Sequence, residues 1–204
     1  MIKKIIFLIC FVCLFVQTSA YSTMNKPYRE YVKSNIYKAL HKFEGDNKRI
    51  LKQWTPKNVN KLTIVLIAVE KYVGINHKKM LSTILTESDM DIYVIGGPNN
   101  NKSYDYGLVQ QNSPHLKKRY TAAKRLLKKH NITYTNNIFD ISVNVMSGAL
   151  VLKDFKKQLR KRGVNEKYAH FVAYNCGPSG YFYPHLKQKR HKYLKRYKSF
   201  LVRL

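Results

Sequence analysis

Apolar residues that recur at helical spacing through most of the chain, in blocks closed by capping residues, constrain its fold more than any other feature. Thr55 is suited to cap free amides, and Pro56 takes the first helical position, which needs no hydrogen-bonding N–H. Leu62, Val65, Leu66, Val69 and Val73 then fall on one helix face, and Gly74 suits the left-handed stop. Asn76 can cap a second helix with Met80, Leu81, Ile84 and Leu85 on one side, and Glu87 and Ser88 lie at its far end. Helical patterns return at 114–130, 141–162, 165–175 and from Pro184 onward. Between Asp91 and Ser113 the period changes: Ile92-Tyr93-Val94-Ile95 reads as extended, and Gly96-Gly97-Pro98-Asn99-Asn100-Asn101 is turn material. These patterns predict a mainly α (α+β) protein with one small β-hairpin.

Covalent staples do not contribute to that fold. Cys10 and Cys13 lie in an N-terminal stretch that reads as an export signal, so beyond residue 20 only Cys176 remains. Lys3 and Lys4 form the charged start of this signal, Ile5 through Val16 its apolar part, and Thr18-Ser19-Ala20 the small residues before a cut at Tyr21. About a dozen apolar residues fall short of the roughly 20 that span a bilayer, which favours a cleaved leader over an anchor. The expected organisation is a signal at 1–20, a basic extension at 21–54 with one or two short helices, and a domain at 55–204 ending in a basic helix. No Cys or His spacing resembles a zinc site, and neither metal nor cofactor is expected.

Charge narrows the partners. The formal net charge is +27, and loss of the leader with Lys3 and Lys4 lowers it by two to +25. So one-sided a charge points to a polyanionic neighbour, such as a cell wall bearing carboxylates and phosphates, another anionic envelope polymer, or anionic lipid. Export and the lack of a recognised nucleic-acid motif argue against DNA or RNA.

Candidate chemistry begins at Glu87. A carboxyl at the end of an apolar helix is partly buried, burial disfavours its charged form, and a protonated acid is what cleavage of a glycosidic bond requires. Several further segments follow in order: Ser103-Tyr104-Asp105-Tyr106-Gly107-Leu108-Val109-Gln110-Gln111-Asn112-Ser113, then Asn144 and Gly148 on one helix face, then Ala173-Tyr174-Asn175-Cys176-Gly177-Pro178. Gly107 can let backbone approach a sugar ring, and Gln110 offers donor and acceptor to an N-acetyl group or to the acid. Asn144 can orient neighbouring loops, and Gly148 permits close helix approach.

This ordered set resembles the lysozyme-like lytic transglycosylases, whose motifs run ES, GLMQ, an Asn and Gly four apart, and AYNxG. The SYDYGLVQQNS stretch looks most like the small specialised members attached to secretion, conjugation and pilus machines, and also like animal lysozymes. The resemblance covers roughly Lys57 to Tyr197. It implies a lysozyme-like fold with the hairpin beside an active-site cleft, peptidoglycan glycan strands as substrate, and service to a secretion, pilus or phage assembly. It further implies that Glu87 is the catalytic acid, that Tyr174 hydrogen-bonds it, and that Ser88, Gly107, Gln110, Asn144 and Asn175 support the sugar site. Val109, Gln111 and Cys176 depart from the pattern without removing a catalytic group; Cys176 reads as a small buried hydrophobe.

Asp105 bears on the product. As a second carboxylate opposite Glu87 it could serve a water-dependent lysozyme reaction that leaves a reducing sugar. In a lytic transglycosylase the substrate's acetamido oxygen assists, and the muramyl 6-hydroxyl closes an anhydro ring. Asp89 and Asp91 read as cap or loop residues. A non-catalytic envelope-binding protein and a membrane-disrupting protein built on the basic stretch 181–204 are the non-enzymatic alternatives.

Overall fold

The structure is a computed structural model that describes residues 25–44 and 47–204. The expected signal at 1–20 lies outside the described residues. The chain divides into two compact units, Met1–Tyr31 and Val32–Leu204. Of the first, residues 25–31 are described, most of them within helix α1 (Lys26–His41), which runs on into the second.

The second unit is helical apart from one small sheet. After α1 come α2 (Lys48–Gln53), α3 (Pro56–Ala68) continuing into a π-helical turn (Val69–Val73), and α4 (His77–Ser88). Next are strands β1 (Ile95–Gly96), β2 (Asp105–Tyr106) and β3 (Gln111–Asn112), and then α5 (Leu116–Lys129), α6 (Ile141–Lys161), α7 (Ala169–Gly180) and α8 (Lys187–Arg203). Short 3-10 turns at Ser113–His115 and Pro184–Leu186 lead into α5 and α8.

Local chemistry sets the helix ends. The Thr55 hydroxyl accepts from the Asn58 N–H at 3.3 Å with Pro56 in the first turn, Asn76 accepts from the Lys78 N–H, and Asp140 accepts from the Val143 N–H. Gly74 closes the π-helical turn in the left-handed region at φ 80. α6 is the central helix: Ile141 through Ala149 are all buried, and a helix apolar on every side belongs in a core. Leu62, Leu66, Met80, Leu81, Ile84, Val143 and Met146 are fully buried around it.

Two expectations gain detail. The compact unit begins at Val32, well before residue 55, because Ile36, Ala39, Leu40, Ile50 and Trp54 are buried, and the Trp54 indole N–H donates to the Met90 carbonyl at 2.8 Å. Asn35 also meets His77 at 3.2 Å, so residues 32–54 are part of the core. The β region is a three-stranded antiparallel sheet of two-residue strands in the order β1-β2-β3, with Gly96 opposite Asp105 and Asp105 opposite Asn112. Only Ile95 of the stretch 92–95 pairs, since buried Ile92 is held by Gln53 and the Tyr93 N–H by the Asp91 carboxylate.

Candidate active site

Glu87 projects from the last turn of α4. The chain leaves that helix through Asp89 and Met90, both at positive φ, and this turn is pinned from outside. Asp89 pairs with Lys42 at 3.0 Å and Arg196 at 2.5 Å, while buried Asp91 accepts from Arg49 at 2.5 Å and Gln53 at 2.9 Å. Burial alone would raise the Asp91 pKa, but its hydrogen bonds outweigh that and hold it below the usual carboxylate value. Both aspartates thus serve the joint, as read from sequence.

The Glu87 carboxyl behaves differently. Burial pushes its pKa from 4.5 to about 7, the Tyr193 hydrogen bond draws it back, nearby Asp105 adds to the rise, and Arg196 and Lys189 oppose it. Desolvation wins, and the group is half protonated near neutral pH. The Tyr193 hydroxyl donates to Glu87 Oε1 at 2.5 Å, and its own pKa is raised by burial and by the adjoining carboxyl.

Glu87 lies in a cleft of about 600 Å³ between the sheet on one side and α6 and α7 on the other. Asn99, Asp105, Gln110 and Asn112 line the sheet side; Val151, Phe155, Tyr174 and Asn175 line the helical side, with His115 and Arg119 at one edge. Polar groups on an apolar wall suit a sugar ring, whose hydroxyls seek partners and whose faces pack on aromatic carbon.

A clamp centred on Asn144 holds the two sides in register. Its amide donates to the Tyr106 carbonyl and the Tyr120 hydroxyl, each at 2.9 Å, and its oxygen accepts from the Val109 N–H at 3.0 Å. Gly107 sits at φ 72, where a Cβ would lie 2.7 Å from the Asn144 amide nitrogen. Its missing side chain makes room for Asn144. Gly148 serves the same clamp: a Cβ there would lie 2.7 Å from Val109 Cγ2 and 3.1 Å from the Tyr174 hydroxyl.

Tyr174 also differs from its expected role. Its hydroxyl donates to the Val109 carbonyl at 2.7 Å and accepts from the Gln111 amide at 2.5 Å. Tyr174 therefore ties α7 to the loop, and Tyr193 from α8 makes the hydrogen bond to Glu87. Gln111, a departure from the family pattern, is fully buried at this junction. Gln110 lines the cleft, but its amide donates to the Gly107 carbonyl at 2.9 Å and not to the acid. Ser88 is buried, and its hydroxyl donates to the Ile84 carbonyl, so it serves the helix end. Asn175 is exposed on the cleft wall just before Gly177, which breaks α7 at φ 73. Burial raises the Cys176 thiol pKa, as suits a packing residue.

Asp105 faces the same cleft from β2. Asn112 donates to its Oδ1 at 2.8 Å and Asn99 to its Oδ2 at 3.0 Å. The cleft thus holds two carboxyl groups, one desolvated and one fixed among amides.

A family model described as the Transglycosylase SLT domain matches residues 65–197. The chain belongs to this transglycosylase SLT family. No curated protein and no solved structure matches the chain. SLT-family membership carries with it a lysozyme-like fold, peptidoglycan as substrate and, in general terms, transglycosylase action on it. The matched span runs from α3 to α8, so it includes Tyr193, the site residue that sequence reasoning missed. A signal for it existed: Tyr193, Tyr197 and Phe200 share a helix face in an otherwise basic segment, and all three are buried. Spacing marks that face as inward but cannot say which hydroxyl meets the acid.

Proposed function

We propose that this SLT-family chain is a lytic transglycosylase that cuts the β-1,4 bond between N-acetylmuramic acid and N-acetylglucosamine and leaves 1,6-anhydromuramyl ends. The observation that carries this reading is the Glu87 carboxyl, poised at about pH 7 in a sugar-sized cleft. With Tyr193 on Oε1, the other oxygen carries the proton toward the cleft. That proton passes to the bridging oxygen as its bond to muramyl C1 breaks, and the acetamido oxygen of the same sugar shares the positive charge at C1. Glu87, now a carboxylate, takes the proton of the muramyl 6-hydroxyl while that oxygen bonds to C1. The acid is thereby regenerated without water or cofactor.

One observation favours a second reading. A second carboxyl group fixed by amide donors in the same cleft, as Asp105 is, can stabilise charge at C1 while water attacks, giving a muramidase. Mass spectrometry of digested peptidoglycan separates the two: the proposal expects anhydromuramyl ends, and reducing muramic ends in their place would reject it. The same reading places the chain in the cell envelope after export, in the service of a secretion, pilus or phage assembly.

A further inference from the structure

A second concavity, larger than the cleft, lies elsewhere on the protein. A groove of about 990 Å³ runs between the joint before α4, the outer side of α6 and the segment leading into α7. α6 separates the two sites: Val151 and Phe155 face the cleft, whereas Leu152, Lys153, Lys156 and Arg160 lie on other faces of the helix and line the groove.

The groove is cationic. Lys79, Lys153, Lys156, Lys157 and Arg160 line it, and none makes an ion pair to an acid among the described residues. Two acids also lie on its wall, but both are engaged by neutral donors: Asp154 accepts from Gln158, and Glu166 accepts from the Tyr181 hydroxyl. At the groove wall His170 is 8% exposed and packs on Phe171, and its ring nitrogens have no hydrogen-bond partner among the described residues. Burial, Lys156, Lys79 and Arg160 together push its pKa down to about 4, so at neutral pH the ring is uncharged and can donate one N–H. Clustered cations around such a donor fit an oxyanion.

We propose that this groove is a second peptidoglycan-binding site, apart from the catalytic cleft, that holds the carboxylates of stem peptides on the wall polymer. This rests on the family's peptidoglycan substrate, which is a polymer carrying carboxylates at regular intervals. The groove anchors the enzyme to the mesh while the cleft works on a glycan strand.

Co-sedimentation with purified sacculi tests this, using Glu87→Gln protein so that the polymer is not digested. Lys153→Glu, Lys156→Glu and Arg160→Glu together change three exposed side chains, so the fold is retained. A control with equal charge change carries Arg125→Glu, Lys128→Glu and Lys129→Glu, three exposed residues of α5. The groove variant is expected to lose about tenfold in affinity and the control less than about twofold, because the contacts are local and not a property of net charge. Sacculi with amidated carboxylates should bind all proteins weakly. With Glu87 restored, the groove variant should cleave soluble, peptide-free glycan strands at the wild-type rate.

Equal losses in the two variants would overturn the proposal, as would undiminished binding to amidated sacculi. It also fails if the groove variant keeps its sacculus affinity while losing affinity for DNA or for phosphatidylglycerol vesicles, since the partner would then be of another class. His170→Phe keeps the ring contact with Phe171 and removes the N–H; it should weaken retention too. If wild-type protein leaves peptide-free strands uncut, the reading of the cleft falls, while the sedimentation results still report on the groove.

Discussion

Glu87 and Tyr193 form a donor and acceptor pair whose effects on the acid oppose each other. Desolvation raises the carboxyl pKa, and the Tyr193 hydroxyl, which bonds best to the ionised form, limits the rise. Tyr193→Phe should therefore move the alkaline limb of the pH–rate profile above its wild-type position near 7. A limb at lower pH, or one that does not move, would show that Tyr193 does not tune the acid. Glu87→Gln should lower turnover by about 10²–10⁴-fold, the usual contribution of a general acid. The same substitution tests the burial of the charge through stability. The folded-state pKa of Glu87 lies above 4.5, so the stability it contributes is complete below that pH and is lost as pH rises through about 7. Glu87→Gln, which keeps an oxygen for Tyr193, should be more stable than wild type at pH 9 by about 2–3 kcal/mol, with the gap closing below pH 5. Denaturant unfolding at the two pH values measures this.

Among the elements, α6 and the loop after β2 behave as one piece, because Asn144, Gly107, Gly148 and Tyr174 interlock across them. Gly148→Ala puts a methyl group against Val109 and the Tyr174 hydroxyl, and should cost about 1–3 kcal/mol as overpacking does, with a loss of turnover. Adding Val109→Ala removes the nearest obstacle and should recover part of both losses. Purely additive effects in thermal unfolding and activity would separate the two residues. Much of this was legible in the chain. Capping residues and helical stripes marked most helix starts and stops within a few residues, and Asn144 with Gly148 stood out as a loop-orienting pair. The roles of Gly107 and Tyr174 were not legible, because a glycine at positive φ or a tyrosine near a helix break does not reveal its neighbour. Helix α8 shows the same limit. Its Tyr197 stacks on Phe171 at 4.7 Å, and its apolar face is buried in the fold and not left for a membrane.

At the scale of the molecule, the net charge of +27 acts through distance and salt. Raising ionic strength from about 0.05 M to about 0.5 M shortens the screening length severalfold, so KM for intact wall should rise while kcat stays near constant. A fall in kcat of similar size would place the charges in the chemistry instead. The sequence by itself determined the helical class, the order of the elements, the basic character and the position of a candidate acid, because periodicity, caps and composition are local properties that survive without coordinates. Only the tertiary structure decided that residues 32–54 belong to the core, that Tyr193 and not Tyr174 bonds Glu87, and that α6 divides a cleft from a cationic groove. Each of those depends on which faces meet, and on how burial between distant segments moves a proton. No spacing within a single segment carries that information.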